Sequence, residues 1–344
     1  MLDDLKYIHD RDAQDALGIA EKQAAQLVQT FELIGNREFG TIHNVVYAGM
    51  GGSALAALLV HTWPKLNLPF EVVRDYDLPA YVGPNTLVIA ASYSGNTEET
   101  LSALVQAEAK GAQIAVIAGG GKLQEAAQAK GYLIGVLPKV VQPRYAVLSN
   151  FKLLLDILAT AGVLTEDVSS DLQNASSFLN SAVASWVPTV QTNQNKAKQI
   201  ALEAIGKSVV IYGGPKLFPA AYKWKISFNE NAKQVAWAGQ YPEFNHNEFI
   251  GWSKQPVDKP YLVIDLRSSL EHERVQKRFE VSERLLSGLR PSPEIVQAEG
   301  STVLEQLLWT IALGDFVSLY TGIANGLNPA PVELVEKFKK ELSN

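Results

Sequence analysis

Apolar residues along this chain are grouped in two ways, and each grouping predicts its own kind of element. Short blocks at residues 45–48, 70–73, 87–91, 114–117 and 131–137 have the length of strands and run into glycine, serine or charged turns. Helix-length segments lie between them, including 54–61 and 98–110. Strands alternating with helices at this spacing predict a doubly wound parallel sheet, with ligands bound at the carboxyl ends of the strands. A weaker copy follows: 208–214 parallels 45–52, and 261–267 with its following helix parallels 87–101. The longer groupings have helical period. Leu17, Ala20, Ala24, Leu27, Phe31 and Ile34 predict a pair of N-terminal helices over a sheet edge, while 150–164 and 172–187 predict long helices between the two α/β repeats. Leu217, Ala221, Trp224 and Phe228 form one helical stripe, and 304–320 and 332–342 predict two C-terminal helices.

The expected architecture is therefore α/β, with two parallel-sheet subdomains of three αβα layers. N-terminal helices occupy 1–40, the first subdomain 41–150, bridging helices 151–200, the second subdomain 201–290 and a C-terminal helical segment 291–344, packed back across both.

Residues 86–101, TLVIAASYSGNTEETL, join a strand to a helix through Ser92, Ser94 and Thr97. Helix N-terminal N–H groups lack partners and the helix dipole points its positive end outward, so such a junction, with hydroxyls added, suits a phosphate. An ordinary capped helix explains the same residues, with Asn96 or Thr97 as the cap and Glu98 and Glu99 complementing the dipole. A glycine turn at 49–53 ends in Gly52 and Ser53 and offers bare N–H groups in the same way. As a dinucleotide fingerprint it is weak, with Ala54 at the third position and no acidic residue placed for a ribose. The second repeat has lost most of these hydroxyls, which assigns the phosphate site to the first.

Polar residues are concentrated at three further places. Pro143-Arg144 adds a cation after the last strand of the first repeat, where a solvated loop arginine is the alternative. Asn229-Glu230-Asn231 sets a carboxylate between two amides at the end of the apolar helix, and residues 243–252 place His246 among carboxylates and aromatic rings. The C-terminal helix carries Lys337, Lys339 and Lys340, of which most would complement the helix dipole.

Composition narrows the classes. With 344 residues, 47% of them hydrophobic, the chain can bury a large core, and its formal charge of −6 argues against general affinity for nucleic acid or anionic membranes. It contains no cysteine, which excludes disulfides, thiolate metal sites and cysteine nucleophiles and suits a cytoplasmic protein. The acidic N-terminus predicts no secretion signal, and no run of 18 apolar residues predicts a membrane span. No H-x-H, H-E-x-x-H or carboxylate cluster predicts a metal site, and no cofactor is expected.

Taken in order, residues 49–53 (GMGGS), 92–100 (SYSGNTEET), Pro143-Arg144, 229–233 (NENAK), 243–248 (EFNHNE) and 331–337 resemble the SIS (sugar isomerase) fold family, and within it the bifunctional phosphoglucose/phosphomannose isomerases. The serine turn alone would indicate only a SIS domain; the NENAK and NHNE segments are more specific. The resemblance implies interconversion of glucose 6-phosphate, and mannose 6-phosphate, with fructose 6-phosphate through ring opening and a cis-enediolate. It assigns Glu230 as the base between C1 and C2, His246 and Lys337 to proton exchange at the ring oxygen and anomeric hydroxyl, and Arg144 to the enediolate charge. Gly52, Ser53, Ser92, Ser94 and Thr97 would hold the phosphate, with no metal, in a homodimer whose His246 segment completes the partner's site. Two departures stand out: Tyr145 replaces a small residue, and Ala330 replaces a threonine associated with mannose 6-phosphate, which places that activity in question. A non-catalytic, sugar-phosphate-binding SIS regulator is the alternative. It would usually carry a basic DNA-reading domain, which the first 40 residues do not resemble.

Overall fold

In the computed structural model, which describes residues 1–254 and 260–342, the chain divides into two units, Gln23–Ser177 and Met1–Lys22 with Phe178–Asn344. The N-terminal region is more broken than its periodicity suggests. Two short helices, α1 (Leu5–His9) and α2 (Ala16–Glu21), group with the C-terminal unit, and a 3-10 turn at Gln23–Val28 leads into β1 (Leu33–Ile34) of the other.

The apolar blocks of the first repeat are all strands: β2 (Asn44–Gly49), α3 (Gly51–Val60), β3 (Phe70–Val73), β4 (Thr86–Ser92), α4 (Glu98–Ala109), β5 (Gln113–Ala118), α5 (Gly121–Lys130) and β6 (Leu133–Val136) follow in order. The sheet order is β1-β6-β5-β4-β2-β3, parallel throughout except for β1, which closes the edge antiparallel to β6. Every residue of β4 is buried. A strand covered on both faces has no solvent side to alternate with, which is why its sequence is one unbroken apolar run. The parallel part of the sheet begins at β2 and winds to either side, so the order reverses between β2 and β4, where a ligand crevice is expected. Gly49 is in register with Ala91, so the turns after β2 and β4 begin side by side. A 3-10 turn at Pro143–Tyr145 then leads to α6 (Val147–Thr160) and α7 (Ser169–Val183), the latter running across the boundary of the two units.

The second unit contains α8 (Lys196–Ala204), β7 (Ser208–Gly213), α9 (Phe218–Asn231), β8 (Ala236–Gln240), a 3-10 turn at Glu243–His246, α10 (Glu248–Trp252), β9 (Tyr261–Arg267), α11 (Glu273–Leu285), β10 (Glu294–Gln297), α12 (Val303–Ala324) and α13 (Glu333–Leu342). Its four strands are parallel in the order β10-β9-β7-β8. The central pair, β7 and β9, is visible in the sequence; the edge strands β8 and β10 are not, because AWAGQ and EIVQ are half-exposed and carry no continuous apolar block. Helix α12 is buried along almost its whole length and starts with a capping box between Thr302 and Glu305. It is long and apolar enough to cross a bilayer, yet 94% of its apolar window is buried in the protein, as expected of a core helix.

Candidate active site

The serine turn is shaped by its own hydroxyls. Buried Ser92, the last residue of β4, accepts from the backbone N–H of Gly95 at 3.1 Å and lies 2.8 Å from Thr97 Oγ1 and 3.4 Å from Ser94 Oγ. Thr97 is the N-cap residue of α4, but its side chain makes no cap bond, because its hydroxyl is turned to Ser92. Asn96 is also committed elsewhere, accepting from Lys122 N at 3.2 Å and donating to Ser94 O at 3.0 Å. The side chains that an ordinary capped helix would use are therefore engaged, and the first-turn N–H groups of α4 receive no side-chain cap. Of the two acidic residues there, Glu98 accepts a bond from Tyr76 OH at 3.2 Å.

Glycines and anchoring bonds that the sequence does not single out hold this turn in place. Gly95, at φ +66°, packs so closely on Gly120 that no side chain fits between them, and its carbonyl accepts from Leu123 N at 2.9 Å. Ser53 sits in the first turn of α3, which has no side-chain cap either, and its hydroxyl accepts from Tyr93 N at 3.3 Å. Tyr47 OH and Asn150 Nδ2 both donate to the Ser53 carbonyl, at 2.8 and 3.2 Å. Ser53, Ser92, Ser94 and Thr97 thus form one connected cluster at the carboxyl ends of β2 and β4.

Arg144 belongs to the same unit and is buried, at 2% exposure, so the solvated-loop alternative does not hold. A Cβ on Gly52 would lie 3.4 Å from Arg144 N, so the arginine backbone abuts the glycine turn. Its guanidinium donates to Gln142 Oε1 and to Tyr145 OH, both at 3.3 Å, and its Cζ stands 4.8 Å from the centre of the Tyr145 ring. The first departure from the family pattern is thereby accounted for: Tyr145 supplies a platform and an acceptor for the arginine.

In the second unit, Glu230 is half-buried in the last turn of α9, and both flanking amides have structural work. Asn229 Nδ2 donates to Lys225 O at 2.7 Å, and fully buried Asn231 donates to Ser318 Oγ of α12 at 2.9 Å. Lys233, at φ +53°, joins the Glu230 carbonyl (2.6 Å) to the Pro329 carbonyl (2.8 Å), tying the NENAK motif to the turn that holds Ala330. Around His246 the polar neighbours are likewise anchors: Asn245 donates to Ser282 Oγ at 2.8 Å, Asn247 caps α10, and Glu248 accepts from Tyr212 OH. Burial, with Glu248 beside it, pushes the Tyr212 hydroxyl well above its ordinary range. The dense polarity of NHNE is mostly structural, and it leaves the His246 ring exposed. Lys337 is exposed on α13. Among the described residues neither His246 nor Lys337 is hydrogen-bonded or ion-paired to Glu230, and no group of His, Asp or Glu could hold a metal ion.

A doubly wound sheet ending in a hydroxyl-lined, uncapped helix start defines the class of SIS-type α/β proteins. The SIS domain family matches residues 40–154, and the family described as bacterial phospho-glucose isomerase C-terminal SIS domain matches residues 193–342. The chain is 35% identical to the bifunctional phosphoglucose/phosphomannose isomerase of Caldicellulosiruptor bescii, over 88% of this chain and 90% of that one. It is 32% identical to the protein of the same name from Aquifex aeolicus, over 87% and 90%. A solved glucose-6-phosphate isomerase like protein from Thermus thermophilus has the same fold, with a TM-score of 0.68 and 16% identity, covering 98% of both chains. The chain belongs to the bifunctional phosphoglucose/phosphomannose isomerase family.

Proposed function

We propose that this protein is an aldose–ketose isomerase that interconverts glucose 6-phosphate, and more slowly mannose 6-phosphate, with fructose 6-phosphate. The observation that supports this most is the 35% identity, over nine-tenths of its length, to a relative named for both activities. In this reading the phosphate dianion is held by the hydroxyls of Ser53, Ser92, Ser94 and Thr97, by the Gly52 N–H and by the N–H groups at the start of α4. Binding energy from that non-reacting end orients the reacting carbons.

His246 and Lys337 exchange protons with the ring oxygen and the anomeric hydroxyl, giving the open-chain aldose. The Glu230 carboxylate then removes the C2 proton; the C2–H electrons form the C1=C2 bond, and the carbonyl pair moves to O1. The ketose forms when the C2 hydroxyl proton passes to O1, the O2 electrons form the C2 carbonyl, and the C1=C2 pair takes the proton back from Glu230 at C1. One carboxylate serves both carbons because they are adjacent, and positioning such a base typically contributes about 10²- to 10⁴-fold. The Arg144 guanidinium offsets the charge of the enediolate. The proposal includes a cytoplasmic homodimer in which the exposed His246 segment completes the partner's site.

Coupled turnover of fructose 6-phosphate and exchange of the C2 hydrogen in deuterated solvent test the reading together. Glu230→Gln keeps the shape and removes the proton acceptor, so both signals should vanish while sugar-phosphate binding persists. Wild type that binds without turnover would favour the regulatory alternative, and near-normal activity in Glu230→Gln would overturn the mechanism.

A further inference from the structure

Helix α9 meets α12 along a seam that is polar where a core is ordinarily apolar. Lys223, 1% exposed, is ion-paired with Asp315 and donates to Ser227 Oγ at 2.8 Å, while Ser227 donates to the same carboxylate at 3.0 Å. One turn further along, Asn231 donates to Ser318 Oγ at 2.9 Å, and Ser318 donates to the Asp315 carbonyl at 2.9 Å. Trp224 Nε1 donates to the Thr310 carbonyl at 2.7 Å. Two glycines let the helices close up: a Cβ on Gly314 would lie 2.1 Å from Trp224 Nε1, and one on Gly322 would lie 2.6 Å from Asn231 O. Contacts advance in the same direction along both helices, from Trp224 on Thr310 and Gly314 to Asn231 on Ser318 and Gly322. Apolar side chains tolerate sliding, but a buried ammonium with one carboxylate, and an amide with one hydroxyl, are satisfied at a single offset. Glu230 is the residue before Asn231.

We propose that this seam is a register clamp that sets the position of Glu230 along α12, making Asp315, Ser318 and Gly322 positioning residues for proton transfer. The inference rests on the reading of Glu230 as the base. Each residue of slip moves a helix about 1.5 Å along its axis, and a misplacement of about 1 Å at a reacting group costs up to about 100-fold. Ser318→Ala removes the acceptor of the Asn231 amide; Gly322→Ala drives a methyl into the Asn231 carbonyl. Each is expected to lower kcat about 10- to 100-fold, with C2 deuterium exchange falling in parallel. KM for fructose 6-phosphate and inhibition by inorganic phosphate should stay within about twofold, since the phosphate anchor is untouched. Ser318→Thr, which keeps the hydroxyl, should restore most of kcat. Thr321→Val is the comparison for destabilisation alone, because among the described residues the Thr321 hydroxyl bonds to its own helix, at Val317 O (2.8 Å). It should lower the melting temperature and leave kcat near wild type. Should Ser318→Ala and Gly322→Ala melt early yet keep wild-type kcat, the clamp is structural only and the proposal fails. Activity in Glu230→Gln would instead remove the reading on which it rests, and the two failures are told apart by that variant alone.

Discussion

Gly95→Ala addresses the serine turn through its backbone and leaves all its hydroxyls in place. Gly95 has φ +66°, and an added Cβ would lie 1.7 Å from the Gly120 carbonyl oxygen, where real Cβ atoms come no nearer than 3.0 Å. The two segments must therefore part by about 1.3 Å. Neither side yields easily, since the Gly95 carbonyl accepts from Leu123 N at 2.9 Å and Gly119 N donates to the Tyr93 carbonyl at 3.0 Å. The left-handed conformation costs alanine about 1–2 kcal/mol, and forcing a methyl into a packed site costs about 1–3 kcal/mol more. A loss of about 2–5 kcal/mol corresponds to roughly 5–15 °C in melting temperature for a unit of this size. The same displacement exceeds the slack in the 2.8 Å contact between Ser92 and Thr97, so the phosphate ligands lose their arrangement. KM for fructose 6-phosphate and the inhibition constant for inorganic phosphate should each rise about tenfold or more, and kcat should fall as well, because binding energy from the phosphate end orients the reacting carbons. Coupled kinetics with phosphate as inhibitor, beside a thermal melt, measure all three. A variant that melts early yet binds substrate and phosphate as wild type does would refute the assignment of the phosphate to this turn.

Three further outcomes are expected. Ala330 is buried, at 1% exposure, in the turn that Lys233 ties to the Glu230 backbone carbonyl, so Ala330→Thr introduces a hydroxyl into the turn linked to the proposed base; mannose 6-phosphate turnover should rise relative to glucose 6-phosphate, and an unchanged ratio would show that the methyl is no obstacle. Mixing Glu230→Gln with His246→Ala subunits should regain activity if the partner completes the site, and confirmed subunit exchange without recovery would reject the shared site. Burial raises the Glu271 carboxyl above its ordinary value although Lys216 N donates to it at 2.6 Å. The folded state then keeps that proton to higher pH than the unfolded chain, so this group's contribution makes stability fall as pH rises from the ordinary carboxylate value to the folded one. Glu271→Gln should flatten that part of a urea-unfolding pH series, and an unchanged slope would contradict the assignment.

How much was legible in the chain differs from element to element. Strands buried on both faces have no solvent side to alternate with, so blocks such as LVIAA and VVIY announce themselves, and the bounds read for β9 match it to the residue; the edge strand β3 is matched to the residue as well, from the compact block FEVV and not from burial. The glycine and hydroxyl turns were legible too, because helix starts that lack a capping bond need particular small and polar residues. Edge strands β1, β8 and β10 carry no such signature: their pairing partners are distant in sequence, and their exposed sides accept polar residues. Composition alone also could not divide polar residues between chemistry and structure. NHNE and NEN look equally rich in candidate groups, yet tertiary hydrogen bonds commit Asn245, Glu248 and Asn231 to anchoring, and local ones commit Asn247 and Asn229, leaving His246 exposed. A hydrogen bond between residues 87 positions apart, such as that of Asn231 to Ser318, leaves no periodic trace, because its geometry exists only once two helices have packed.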